Sequence, residues 1–246
     1  MEMNKFMEFG VRGAIALTVL GLSVSAANAQ LLFSNSVDRG SYTDAGDHIN
    51  TGDSYLTGFD SFDGVQYRSF FVFDIPTLSG TDTYTSAVLN VFNGGTSGFN
   101  AADMAGRTFT ISSIATDINT LRAGGTGLTS IYDDLADGTV YGSITFANNP
   151  SDGSTIKFNL NSFGLSAINS AAGNQIAFGG SFDVTNTSTD QYIFGFSGSG
   201  TPGDGKTRLD LVVNNFVAPE PSTFALLSVA PIGIGIVARR LRRRDN

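Results

Sequence analysis

Between residues 67 and 213 the chain repeatedly alternates apolar and polar positions over runs of four to nine residues. A period of two buries one face of a β-strand and wets the other. Tyr67–Ile75 (YRSFFVFDI) is dense in aromatic and β-branched residues and stops at Pro76, which could not sit inside a central strand. Ala87–Phe92 stops at Asn93-Gly94-Gly95, a turn signal. Arg107–Ile114, Val140–Phe146, Thr155–Leu160, Gln175–Phe178, Gln191–Phe196 and Arg208–Val213 complete a set of eight predicted strands. Two stretches read as helices. Ile114–Arg122 places Ile114, Ile118 and Leu121 on one face. Asn161–Ala171 places Phe163, Leu165 and Ile168 near one stripe, with Asn161 as N-cap. The expected fold is all-β: an antiparallel β-sandwich of jelly-roll type with one or two short helices.

The two ends follow a different pattern. Lys5 and Arg12 precede an apolar run from Ala14 to Ala26, and Ala27-Asn28-Ala29 is an A-x-A cleavage site with Gln30 as the mature start. At the other end Val217-Ala218-Pro219-Glu220-Pro221-Ser222-Thr223 leads into an apolar stretch from Phe224 to Ala238, and Arg239, Arg240, Arg242, Arg243 and Arg244 follow. The prolines keep the first segment extended. The fifteen apolar-run residues would span about 22 Å as a helix, short for a hydrocarbon core of about 30 Å. Snorkelling or local thinning would let it cross, with the arginines on the cytoplasmic side. The expected organisation is a signal peptide over 1–29, one domain over 30–217 and a sorting tail with a short transmembrane segment over 218–246.

Composition sharpens this picture. A domain of roughly 190 residues buries a core without staples, and the chain has no cysteine, hence no disulfide framework or thiolate chemistry. The net charge is −8 overall. Between Gln30 and Val217 seven basic side chains face eighteen acids, all Asp, for a net −11. That charge argues against a nucleic-acid partner, favours solubility and suits cation binding. Thirty glycines and twenty phenylalanines fit a turn-rich β-domain.

The tail resembles the PEP-CTERM sorting signal, which exosortase membrane proteases read. The carriers of that resemblance are Pro219, Glu220, Pro221 and Ser222, the apolar span and the arginine cluster. Within the domain, Arg68-Ser69-Phe70-Phe71-Val72-Phe73-Asp74-Ile75-Pro76 followed by Ser86-Ala87-Val88-Leu89-Asn90-Val91 is similar to a pattern of PEP-CTERM proteins. It is also similar to jelly-roll modules of the DNRLRE or carbohydrate-binding type. Tyr132–Gly142 and Ile176–Gly180 carry the same likeness. The resemblance implies export, transient inner-membrane insertion, processing by an exosortase-like protease, and a place at the cell surface or in an extracellular, biofilm-type polysaccharide matrix. It supplies no catalytic residues.

The candidate chemistry is sparse. His48 is the single histidine, expected to be solvated in a polar loop, and no G-x-S-x-G elbow accompanies any serine. Glycoside hydrolysis needs two flanking carboxyl groups; Asp60/Asp63, Asp133/Asp134 and Asp44/Asp47 are neighbours in sequence, which does not make them converge. Gly124-Gly125-Thr126-Gly127 lacks the lysine of a phosphate loop. Calcium takes loop oxygens, and Asp38, Asp44, Asp47 and Asp53 crowd one region as candidate ligands of a structural ion. The chain has no tryptophan, so a glycan platform falls to tyrosines, with Tyr42, Tyr55 and Tyr67 nearest the Asp-rich segment. The expectation is a non-enzymatic exported protein with a structural or adhesive role. The alternatives are a carbohydrate-binding module, with or without calcium, and, further off, a glycan-acting hydrolase.

Overall fold

The alternating segments do form strands, some longer than their patterns suggest, as at Thr83–Phe92 and Gln175–Phe182, and some shorter, as at Thr108–Ser113 and Gln191–Ile193. A computed structural model describes residues 28–49, 55–94, 102–194 and 204–215. The expected signal peptide up to Ala27, the loop with Asp53 and the whole sorting tail lie outside these residues. In chain order the elements are β1 (Asn28–Thr43), β2 (His48–Ile49), β3 (Thr57–Asp60), β4 (Val65–Asp74), β5 (Thr83–Phe92) and β6 (Thr108–Ser113). Helices α1 (Ile118–Ala123) and α2 (Thr129–Asp137) follow, then β7 (Val140–Thr145), β8 (Thr155–Asn159), α3 (Ser162–Ser170), β9 (Gln175–Phe182), β10 (Gln191–Ile193) and β11 (Arg208–Asn215).

Every strand pairing is antiparallel. Eight strands make two sheets: a front sheet ordered β1-β11-β5-β8 and a back sheet ordered β4-β9-β6-β7. Among these eight the first pairs with the last, β4 with β9, β5 with β8, and β6 with β7. That nested wrapping is a jelly roll. Strand β1 joins the sheets: Asn28–Asn35 pairs with β11, and Ser36–Thr43 pairs with β4. A register shift between Ser36 and Asp38 lets it turn from one sheet to the other.

The core lies between the sheets. Phe71, Phe73, Leu89, Phe109, Phe158, Phe178 and Leu211 are buried there, and Phe109 packs 5.2 Å from Phe158 and edge-on to Phe194 at 5.3 Å between ring centroids. A second apolar layer covers the outside of the back sheet. Tyr42, Phe70 and Val72 meet Leu121 of α1 and Ile131, Tyr132 and Leu135 of α2. Strand β4 is therefore buried on both sides from Phe70 to Phe73, which corrects the expectation of one wet face. Helix α3 seals the core with Ile168 and Leu165.

Three helices are present among the described residues, where one or two were expected. Asn161 caps α3 as expected, its side-chain oxygen accepting from the N–H groups of Phe163 and Gly164. Helix α1 starts four residues later than its pattern suggested, because Asp117 caps it by accepting from Asn119 and Thr120. Helix α2 was not anticipated. Its short apolar stripe, Ile131, Tyr132 and Leu135, sits within the aspartate-rich Tyr132–Asp137 segment. Strand β1 also escaped the pattern. Its buried side chains include Ser34, Ser36, Arg39, Ser41 and Thr43, so polar residues occupy inward positions.

Candidate functional site

The Asp-rich N-terminal region folds around the end of β1 and the β2 strand. Asp38 accepts from its neighbour's backbone, Arg39 N–H, at 2.8 Å, and takes the Arg122 guanidinium Nε at 2.6 Å. Asp47 accepts the Gly127 N–H at 3.0 Å, which ties the α1–α2 connection to β2. Asp44 lies exposed at the turn, its own N–H bonded to the Gln66 carbonyl. The Asp38 and Asp47 carboxylates thus serve different partners, and Asp53 lies outside the described residues. Among the described residues no group of three or more His, Asp or Glu side chains could hold a metal ion.

The three tyrosines proposed as glycan platforms are interior residues, which corrects that expectation. Tyr42 and Tyr55 have no exposed surface, and Tyr67 is 5% exposed. Tyr42 donates to the Leu121 carbonyl at 2.7 Å, and Tyr55 donates to the Phe92 carbonyl at 2.6 Å. Tyr67 packs with Leu56 and Tyr192. Tyr42 and Tyr55 thus present their rings to the core and spend their hydroxyls on backbone carbonyls, the usual way a tyrosine is buried. Burial, reinforced by Asp63, Asp60 and Asp44, pushes the Tyr67 hydroxyl up to about 12.

His48 was expected in a solvated loop. It is instead half-buried, stacked on Tyr42 with centroids 4.9 Å apart and tilted against Phe70 at 5.7 Å. Its backbone N–H donates to the Gly125 carbonyl at 2.9 Å, so the Gly124–Gly127 segment is a structural connection packed on β2. Burial lowers the His48 pKa from 6.5, and the nearby Asp38 opposes that shift.

The paired aspartates do not converge into a hydrolytic couple. Asp60 is buried at a turn and accepts from Phe62 N–H at 2.9 Å, while Asp63 is exposed. Asp133 and Asp134 sit on α2 and point to different tasks. Asp133 faces Arg68 at 3.7 Å; Asp134 accepts from Ala115 N–H, Thr116 N–H and the Thr116 hydroxyl, clamping the segment before α1. Arg68 also lies 4.1 Å above the Tyr132 ring and donates to the Tyr132 carbonyl.

Two surface features were not foreseen. An open groove of about 430 Å³ at one end of the sandwich is lined by Gln30, Leu32, Pro76, Thr77, Leu78, Ser79, Asp82 and Val213. Exposed apolar side chains stand at Leu31, Phe33, Phe62, Val140 and Phe163. Leu31 and Phe33 share the outer side of the front sheet; the sequence signal for them was the unbroken apolar run Leu31-Leu32-Phe33 on β1, hidden by its proximity to the expected cleavage site. No helix among the described residues is long and apolar enough to cross a membrane. Compared with protein-family models and with curated proteins, the chain matches none.

Proposed function

We propose that this is an exported protein whose jelly-roll domain has a structural or adhesive role at the cell surface, within an exopolysaccharide matrix. Its C-terminal tail is processed by an exosortase-like membrane protease after transient insertion in the inner membrane. The observation that carries this reading is the pairing of two address-like ends with one β-domain. An A-x-A site at Ala27–Ala29 precedes the domain, and Pro219-Glu220-Pro221, an apolar span and five arginines follow it. The domain suits such a place: it packs without cysteine, carries a strongly acidic surface and commits its aspartates to caps, clamps and ion pairs.

A carbohydrate-binding module is the second reading, supported by the jelly-roll wrapping and by the exposed aromatic ring of Phe33 on the outer face of the front sheet. The test is co-sedimentation of the mature protein with exopolysaccharide from its own host, run beside a polysaccharide-release assay. Co-sedimentation without release is expected. Release of soluble sugar, lost in an Asp→Asn variant, would replace both readings with a hydrolase.

A further inference from the structure

The outer face of the front sheet is the one place where cations gather on this acidic domain. Inward positions of its strands fill the core, so the outward ones follow from register. One row across the sheet is Asn35, Arg208, Asn90 and Lys157; the next is Phe33, Asp210, Val88 and Asn159. Lys206 stands just before β11, with its ammonium 4.9 Å from the Phe92 ring. Both lysines and one arginine of the seven basic side chains between Gln30 and Val217 are therefore on this face, against Asp204 and Asp210. The back sheet's outer side is covered by α1 and α2, whereas here Phe33 is 56% exposed and the Arg208 and Lys206 side chains are 40% and 42% exposed.

We propose that this face binds an acidic polysaccharide of the uronan type, laid across the strands. The inference rests on the matrix reading above and names its ligand class. Strands lie about 4.8 Å apart, which places Arg208 and Lys157, two strands from one another, about 10 Å apart. That spacing suits carboxylates two residues apart along an extended uronan. Phe33 supplies an apolar surface for the C–H face of a pyranose ring, with the Arg208 guanidinium 5.4 Å from the ring centroid. Between the two cations lies Asn90, 1% exposed, whose carboxamide oxygen has no partner among the described residues. Arg208 already holds Asp210 at 2.8 Å, so the exposed Lys157 is the cation most ready for a ligand.

The experiment measures binding of the intact chain to immobilised polygalacturonate and to dextran, at low and high sodium chloride. Binding to polygalacturonate that fades with salt, with dextran much weaker, is expected. Lys157→Glu and Phe33→Ser, both at exposed positions, should each weaken it about tenfold with an unchanged circular dichroism spectrum. Equal affinity for both polymers, or variants that bind like the parent, would overturn the proposal. If the variants bind host exopolysaccharide normally, the matrix reading stands and only this face is wrong; if the parent binds neither polymer nor host exopolysaccharide, both are wrong. Self-association lost in Phe33→Ser, without polymer binding, would assign the face to a second copy.

Discussion

The carbonyl oxygen of Leu135 lies 2.3 Å from the point a Cβ on Gly179 would occupy. Helix α2 rests its backbone directly on strand β9, and only a residue without a side chain permits that approach. The neighbouring Gly180 faces the other way, where a Cβ would stand 2.7 Å from the Phe109 ring. The Gly179-Gly180 pair thus lets a helix and a core phenylalanine close on opposite sides of one strand. Gly179→Ala is expected to destabilise the domain by about 3 kcal/mol, the upper range for overpacking, since the obstructing atoms are backbone. Chemical denaturation measures this. An unchanged midpoint would show that α2 does not dock as described.

Tyr42 tests the correction to the glycan platform. Its hydroxyl satisfies the Leu121 carbonyl within α1 from 2.7 Å. Tyr42→Phe should cost about 1–2 kcal/mol by leaving that acceptor buried and unpaired, and should leave affinity for any glycan intact. Thermal unfolding and glycan binding, measured on the same variant, check the two halves. A loss of glycan affinity without a loss of stability would restore Tyr42 as a ligand contact.

The jelly roll was legible because its apolar strands alternate or run aromatic, as in β4, β6 and β8, and because turn residues separate them. Strand β1 was not legible, since Ser36, Arg39 and Ser41 occupy buried positions and periodicity counts only apolar residues. Helix α2 was hidden by its acidic content: Asp133, Asp134 and Asp137 are poor helix formers, yet Asp134 is held by three donors from the preceding segment and tertiary packing overrides propensity. Tyr42 and Tyr55 were misplaced for a related reason. A tyrosine near aspartates reads as surface, while the phenol here spans from a core to an internal carbonyl.

Acid stability should depend on His48, the single histidine of the chain. Burial lowers its folded-state pKa below 6.5, so the unfolded chain binds the proton more readily. Its neutral form's contribution is fully present above pH 6.5 and is lost as pH falls through the lowered folded value. The groups facing it are Asp38, which opposes the shift, and the Tyr42 and Phe70 rings. The melting temperature should decline below pH 6.5 in the parent, and His48→Gln should flatten that decline. An identical slope in the variant would place the acid sensitivity elsewhere.

The alkaline side carries the opposite sign. Burial raises the hydroxyl pKa of Tyr42, Tyr67, Tyr84, Tyr132 and Tyr192, with Tyr67 and Tyr132 pushed up to about 12. At Tyr132 the Arg68 guanidinium works against burial. Stability from these phenols is complete below the unfolded value of 10.0 and is lost as pH rises through the folded values. Phenolate absorbance should therefore appear together with loss of the near-ultraviolet dichroism of the fold. Ionisation of most tyrosines near their usual value, in a chain still folded, would contradict the buried placement.

Export and processing form the central claim, and intact mass tests it most directly. The protein would be recovered from the medium and membranes of its native host, and its terminal residues read by mass spectrometry. The account predicts a chain that starts at Gln30, which would keep β1 paired to β11 from Gln30↔Val213 onward, and ends near Pro219–Pro221. A chain that retains Phe224–Asn246 would contradict it and make this a membrane-anchored protein.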